Sequence, residues 1–217
     1  LSGKRTRLED PNAGDTDYTY DPVTGALVEA DSAAGLVSMS YDDFGRLEQR
    51  TSTLPGGAGA SSSASWTYDP DGHVGQVASE SATTTIGSDT YEVVKNFTYG
   101  AHHRLESSII TLPTTSVLGD LSGVTYTEQV GYDDLGQATT VTMPAIGGLP
   151  AESATTGYNR FGAPVSLTVG GKTLVTAVER DAQGRVTSRT LGNGVTRGFV
   201  WDPFDGALTA ATASYQV

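Results

Sequence analysis

Few side chains in this sequence are arranged as chemistry would need them, and most of those sit in one kind of place. Adjacent carboxylates occur at Asp42-Asp43 and Asp133-Asp134, a pairing that could divide general-acid and general-base work. Each pair opens an Asp-x-x-Gly stretch, Asp42 to Gly45 and Asp133 to Gly136. There a carboxylate caps backbone amides at the start of a turn, so capping is the expected role. Histidine occurs at 73, 102 and 103. Neighbouring side chains on a strand point to opposite faces, which suits chelation by His102-His103 badly; that pair reads as a variant turn. Asp69, Asp71 and Glu80 imitate positions 1, 3 and 12 of a calcium loop. His73 takes its fifth position, however, and Val74 stands where the loop needs its sharp-turn glycine. The sequence holds no Gly-x-Ser-x-Gly, no phosphate-binding Gly-Lys loop and no His-Glu-x-x-His. It also has no cysteine, which excludes a disulfide scaffold and a thiolate metal site. The expectation is a chain with no catalytic residue, no metal and no cofactor, and not an enzyme.

The carboxylate-bearing turns belong to a phrase that recurs along the chain. Its clearest copy is Tyr41-Asp42-Asp43-Phe44-Gly45-Arg46-Leu47. Tyr20-Asp21 leads to Gly25 with one extra residue, Tyr68-Asp69-Pro70-Asp71-Gly72 follows, and Tyr99-Gly100 reaches His103 where glycine is expected. Tyr132-Asp133 to Gly136, Tyr158-Asn159 to Gly162, Arg180-Asp181 to Gly184 and Trp201-Asp202 to Gly206 complete the series. First positions fall at 20, 41, 68, 99, 132, 158, 180 and 201. The unit is therefore about 21 residues with insertions in the middle copies, within the period range of repeat arrays. In such arrays function belongs to the assembly more than to one pocket.

Each copy predicts a β-hairpin. Apolar residues two apart precede the turn, as in Tyr18 and Tyr20, Met39 and Tyr41, Trp66 and Tyr68, or Phe199 and Trp201, so they share one face of a strand. Asp-x-x-Gly fits a type I turn closed by a left-handed glycine, a three-residue hairpin with a bulge. The copies from Asp21 to Gly25 and from Asp202 to Gly206 suit a four-residue loop. A second alternating strand follows, for example Arg46 to Thr51 or Arg185 to Thr190. Three low-complexity insertions, Thr51 to Ser63, Leu112 to Gly123 and Met143 to Pro150, read as surface loops.

Lys and Arg total 13 against 25 Asp and Glu, a net charge of −12. Phosphate binding needs a basic face, so nucleic acid is not an expected partner. No apolar run approaches the ~18 residues of a spanning helix, and no membrane insertion by these residues is expected. The opening Leu1 to Leu8 matches a copy entered inside its turn, and Ala211 to Tyr215 looks like a further strand beginning. Residues 1–217 thus read as one array of about eight repeats, cut at both ends from a longer parent.

The repeat phrase resembles the Rhs family, also called YD-repeat proteins. Tyr41 to Leu47 carries the likeness best, supported by Tyr68 to Val74 and Asp181 to Val186, and it extends over nearly the whole chain. That family includes bacterial Rhs toxins, shell components of insecticidal toxin complexes, wall-associated proteins and animal teneurins. The resemblance implies an all-β strip of tandem hairpins, curved into part of a hollow shell that encloses a C-terminal toxic domain. Tyr20, Tyr41, Tyr68, Tyr99, Tyr132 and Tyr158 would be the motif tyrosines, with Trp201 substituting. Gly25, Gly45, Gly72, Gly136, Gly162, Gly184 and Gly206 would be the turn glycines, with Asp21, Asp42, Asp69, Asp133, Asp181 and Asp202 opening the turns. These are structural positions. Bacterial members end their shell with an Asp-Pro-x-Gly self-cleavage signature; Asp69-Pro70-Asp71-Gly72 has those letters inside an ordinary repeat and reads as a turn.

The expected function is a noncatalytic shell segment of a secreted protein. Its partners would be the flanking repeats of the parent and the enclosed toxin domain. The alternative is a cell-surface adhesion or carbohydrate-binding module that meets a glycan or receptor.

Overall fold

The computed structural model describes residues 3–55 and 60–215. The chain is all-β. Among the described residues there are 17 strands, and helix is confined to 3-10 turns such as Ala101–His103 and Ser116–Leu121. Two compact units divide it, Leu1–Tyr126 and Thr127–Val217.

The first unit holds β1 (Arg7–Asp10), β2 (Gly14–Tyr20), β3 (Leu27–Ser32), β4 (Gly35–Tyr41), β5 (Leu47–Thr53), β6 (Ala60–Tyr68), β7 (Val77–Ile86), β8 (Asp89–Tyr99) and β9 (Leu105–Thr111). Each pairs antiparallel with the next in chain order. Strand β10 (Thr125–Tyr132) begins at the end of this unit and leads into the second. There it is followed by β11 (Ala138–Met143), β12 (Glu152–Tyr158), β13 (Pro164–Val169), β14 (Lys172–Arg180), β15 (Val186–Leu191), β16 (Val195–Trp201) and β17 (Leu208–Tyr215). These form the same kind of meander. All eight copies of the phrase join the two strands of a hairpin. In seven of them a strand ends on the aromatic residue, and in the eighth it ends on Arg180.

The type I turn with its bulge explains the register. In β4–β5 the pairing passes from Ser40↔Gln49 to Tyr41↔Leu47, so one residue of β5 is extra. The same slip occurs next to Tyr20, Tyr68, Tyr99, Tyr132, Tyr158, Arg180 and Trp201. Gly45 and Gly184 close their turns at φ +79° and +82°, a region open to glycine and strained for most side chains.

Two copies depart from the reading that their letters suggest. The turn after Tyr68 does not close at Gly72. It runs on until the Asp69 amide meets the Gln76 carbonyl at 2.8 Å, and β7 starts at Val77. Gly75, at φ +90°, therefore takes the closing place. Asp69-Pro70 begins this longer loop, with Asp69 itself at φ +60°. In the Tyr99 copy, His102 and His103 adopt φ +61° and +57°, so histidine holds the left-handed backbone that glycine holds elsewhere.

The insertions are only partly loop. Thr51–Thr53 lie in β5, and the serines at 61, 62 and 63 lie in β6, paired with Thr85, Thr84 and Thr83. The glycines at 56, 57 and 59 fall outside the described residues. Ala211 to Tyr215 is the end of β17, the second strand of the Trp201 hairpin, not a new repeat. Residues 112–123 hold the 3-10 turn Ser116–Leu121, whose start is capped by the Thr115 side chain.

Among the described residues no apolar side chain is buried; Ser107 and Ser108 are the buried ones. Strand positions are mostly half-buried. Apolar burial is therefore partial at each strand position. The backbone ladders, and what links one hairpin to the next, add to it.

Candidate functional site: the stapled turns

Seven of the eight turns are built by an acidic or amide residue, and the Tyr99 copy has Gly100 in that place. Asp42 Oδ1 accepts from the amides of Phe44 at 3.0 Å and Arg46 at 2.9 Å. Asp133, Asn159 and Asp181 repeat this pattern on Leu135 and Gln137, on Phe161 and Ala163, and on Gln183 and Arg185. In the longer loops Asp21 caps Val23 and Thr24, and Asp202 caps Phe204 and Asp205. Backbone bonds close the ring: Gly45 N donates to the Asp42 carbonyl and Asp42 N donates to the Arg46 carbonyl, both at 2.9 Å. The Asp21 carboxyl is held below the usual range, first by the Thr24 amide. For Asp42, desolvation pushes upward, and the hydrogen bonds from Arg46 and Phe44 together outweigh it, leaving the group lowered.

The motif aromatic reaches out of its own hairpin. Tyr41 Oη donates to the Leu27 carbonyl at 2.8 Å, Tyr68 to Leu47 at 2.7 Å, Tyr99 to Val77 at 2.9 Å and Tyr158 to Ala138 at 2.8 Å. Tyr20 does the same to Arg5 at 2.8 Å, and Trp201 uses its indole Nε1 on Val186 at 2.8 Å. The acceptor lies outside the aromatic residue's own hairpin each time. It lies two residues before the nearest registered pair, and the aromatic lies three residues after it: Glu29↔Ser38, Gln49↔Ser65, Ser79↔Asn96, Thr140↔Thr155, Ser188↔Gly198 and Arg7↔Asp17. Beside each turn the two hairpins thus diverge, and the next ladder carbonyl would lose its partner. The ring fills that gap and its tip satisfies the carbonyl, as a half-buried amphipathic aromatic does well.

The Arg180 copy shows the pattern by its departure. Arg180 Nη1 donates to Gly184 within its own hairpin at 2.9 Å, while its Nε is buried without a partner. Register between β13 and β14 is irregular at Leu167/Thr168. An open cleft of about 290 Å³ lies there, lined by Leu167, Val175, Val178 and Arg180 among others.

The residue after the turn glycine adds a second link. Arg46 Nε binds Asp42 at 2.7 Å, and its two terminal nitrogens fork onto Asp69 of the next hairpin at 2.9 and 2.7 Å. Its guanidinium stands 4.3 Å from the centre of the Tyr68 ring. The bidentate Arg46 bonds, joined by the Gly75 amide, hold the Asp69 carboxyl down to about 2. Arg185 copies the arrangement on Asp181 at 2.7 Å and on the Asp202 carbonyl at 3.3 Å. Lys4 reaches the Gly25 carbonyl and lies over the Tyr20 ring.

The third turn residue faces water. Val23, Phe44, Leu135, Phe161 and Phe204 are all strongly exposed, Phe204 at 97%. Asp42 and Asp133, the first carboxylate of each adjacent pair, cap backbone amides. His73 and His103, from two turns of the first unit, face each other with Nδ1 atoms 3.3 Å apart. Tyr132 ends β10 at the equivalent place before its turn. Turn residues and their spacing place the turns, except that the Tyr68 copy closes at Gly75. The staple acceptors leave no letter in the sequence, because each is a backbone carbonyl.

No family model and no curated protein matches the sequence. Solved structures do. A TcdB2–TccC3 crystal structure matches 98% of this chain at 17% identity and a TM-score of 0.75. The Photorhabdus luminescens Tc holotoxin pore carrying a TccC3 mutation matches 98% at 17% identity, also with a TM-score of 0.75. A TcdB2–TccC3–Cdc42 structure matches 94% at 16% identity and 0.72. The chain spans about a tenth of the length of these proteins. Likeness over nearly the whole chain shows that these stapled hairpins take the fold found in the TcdB2–TccC3 toxin structures.

Proposed function

We propose that the chain is a stretch of wall in a secreted Rhs-type shell, one that encloses a C-terminal toxin domain and makes or breaks no bond itself. The observation that carries this reading is the hairpin-to-hairpin stapling of strands that, among the described residues, bury no apolar side chain fully. Such a sheet is suited to extending a surface, since each unit contacts only its neighbours. The likeness to toxin-complex chains supports the same reading. The wall's partners are then the flanking repeats and the cargo, and its role is confinement.

Limited proteolysis of the full-length polypeptide that carries this segment tests it. The downstream domain should resist protease in the intact protein and be digested rapidly when expressed alone. Equal digestion in both settings removes the enclosure reading and leaves adhesion at a cell surface, through a glycan or receptor, as the reading to pursue.

A further inference from the structure

We propose that His73 and His103 form a two-histidine clip for a divalent transition-metal ion, joining two turns of the first unit. His73 lies in the extended loop between β6 and β7, and His103 closes the turn between β8 and β9. Their Nδ1 atoms approach to 3.3 Å, with ring centres 5.2 Å apart and planes at 88°. Two imidazoles bound to one tetrahedral ion at the usual Zn–N length of 2.0–2.1 Å would place their nitrogens about 3.3–3.4 Å apart. The metal-free geometry already has that spacing. The His73 ring is also tilted against Tyr99 at 5.8 Å, which steadies its orientation.

The backbone argues the same way. His103 holds φ +57° at the turn position where most other copies place glycine, and His102 before it holds +61°. Histidine is among the residues that tolerate this region, yet it does so less easily than glycine. What the substitution provides is an imidazole aimed at His73. Two nitrogens facing each other across 3.3 Å can share one proton as N–H···N when both rings are neutral. An ion entering the gap takes both lone pairs. The ring that held its proton on Nδ1 then carries it on Nε2, facing solvent, so binding needs a tautomer switch and no net loss of a proton. Imidazole nitrogen selects zinc, copper and nickel over magnesium or calcium. Among the described residues no group of three or more His, Cys, Asp or Glu gathers around an ion. The clip therefore supplies two ligands, and water completes the coordination.

Titration of the full chain with Zn2+ and with Cu2+, followed by calorimetry, tests the clip. One ion should bind per chain, reversed by a chelator, with both Nδ1 resonances shifting in 15N spectra. His73→Gln and His103→Gly should each abolish saturable binding, and His102→Gly should retain it. His103→Gly suits the positive φ, so its circular dichroism should match the parent and separate ligand loss from misfolding. Absence of binding by the parent chain overturns the proposal, as does unchanged binding in either His73→Gln or His103→Gly.

Discussion

The Tyr41 hydroxyl donates to the Leu27 carbonyl at 2.8 Å, crossing from one hairpin to the one before it. Leu27 precedes the first registered pair between β3 and β4, Glu29↔Ser38. The bond therefore continues a ladder beyond the point where backbone alone could pair.

Tyr41→Phe keeps the ring and removes the donor. A hydrogen bond of this kind contributes about 1 kcal/mol net, so the variant should lose about that much in chemical denaturation. Tyr68→Phe should behave alike. A loss within experimental error for both would show that the hydroxyl merely touches a carbonyl already satisfied by water.

Gly45 sits at φ +79°. A β-branched side chain there costs on the order of 1–3 kcal/mol. Ser62 lies in β6 opposite Thr84, where valine suits a strand. Gly45→Val should lower the melting temperature clearly and Ser62→Val should not. Equal shifts would contradict the turn assignment.

The Asp69 carboxyl, held at about 2 by Arg46 and the Gly75 amide, lies below the ordinary ~3.9 of an unfolded aspartate. A group depressed in the folded state stabilises above its unfolded pKa, and that contribution disappears as pH falls from about 4 toward 2. Carbon-13 titration of the carboxyl should show the low midpoint, and Arg46→Ala should move it upward. An unchanged midpoint in that variant would assign the shift to the loop amide alone.

Phe204 is 97% exposed at its turn tip. Phe204→Ser should therefore change stability by no more than about 0.5 kcal/mol, read from denaturant midpoints. A larger loss would mean that the tip rests on something in the folded chain.

Much of this architecture was legible because turn chemistry is local. Asp42 and Gly45 announce a type I turn with its bulge, and alternation around Met39 and Tyr41 announces the strand. The Tyr68 copy misled because two glycines follow Asp69. Gly72 stands at the spacing of the phrase, but the chain closes at Gly75, where the amide still finds the Asp69 carboxylate at 2.6 Å. The His73–His103 approach was hidden for a related reason. It arises between two irregular turns, and only their actual lengths bring rings 30 residues apart together.

The staple is counted from the turn, not along the chain. Donor and acceptor are 14 residues apart for Tyr41 and Leu27, and 22 for Tyr99 and Val77, yet both occupy the same place relative to their ladders. Whatever lies at the far ends of the hairpins can lengthen without disturbing the seam. Growth of such a protein by duplicating or deleting one hairpin needs no redesign of its neighbours. Copy number and far-end loops are thus free to vary, while the seam stays a fixed joint, as in masonry laid to one gauge.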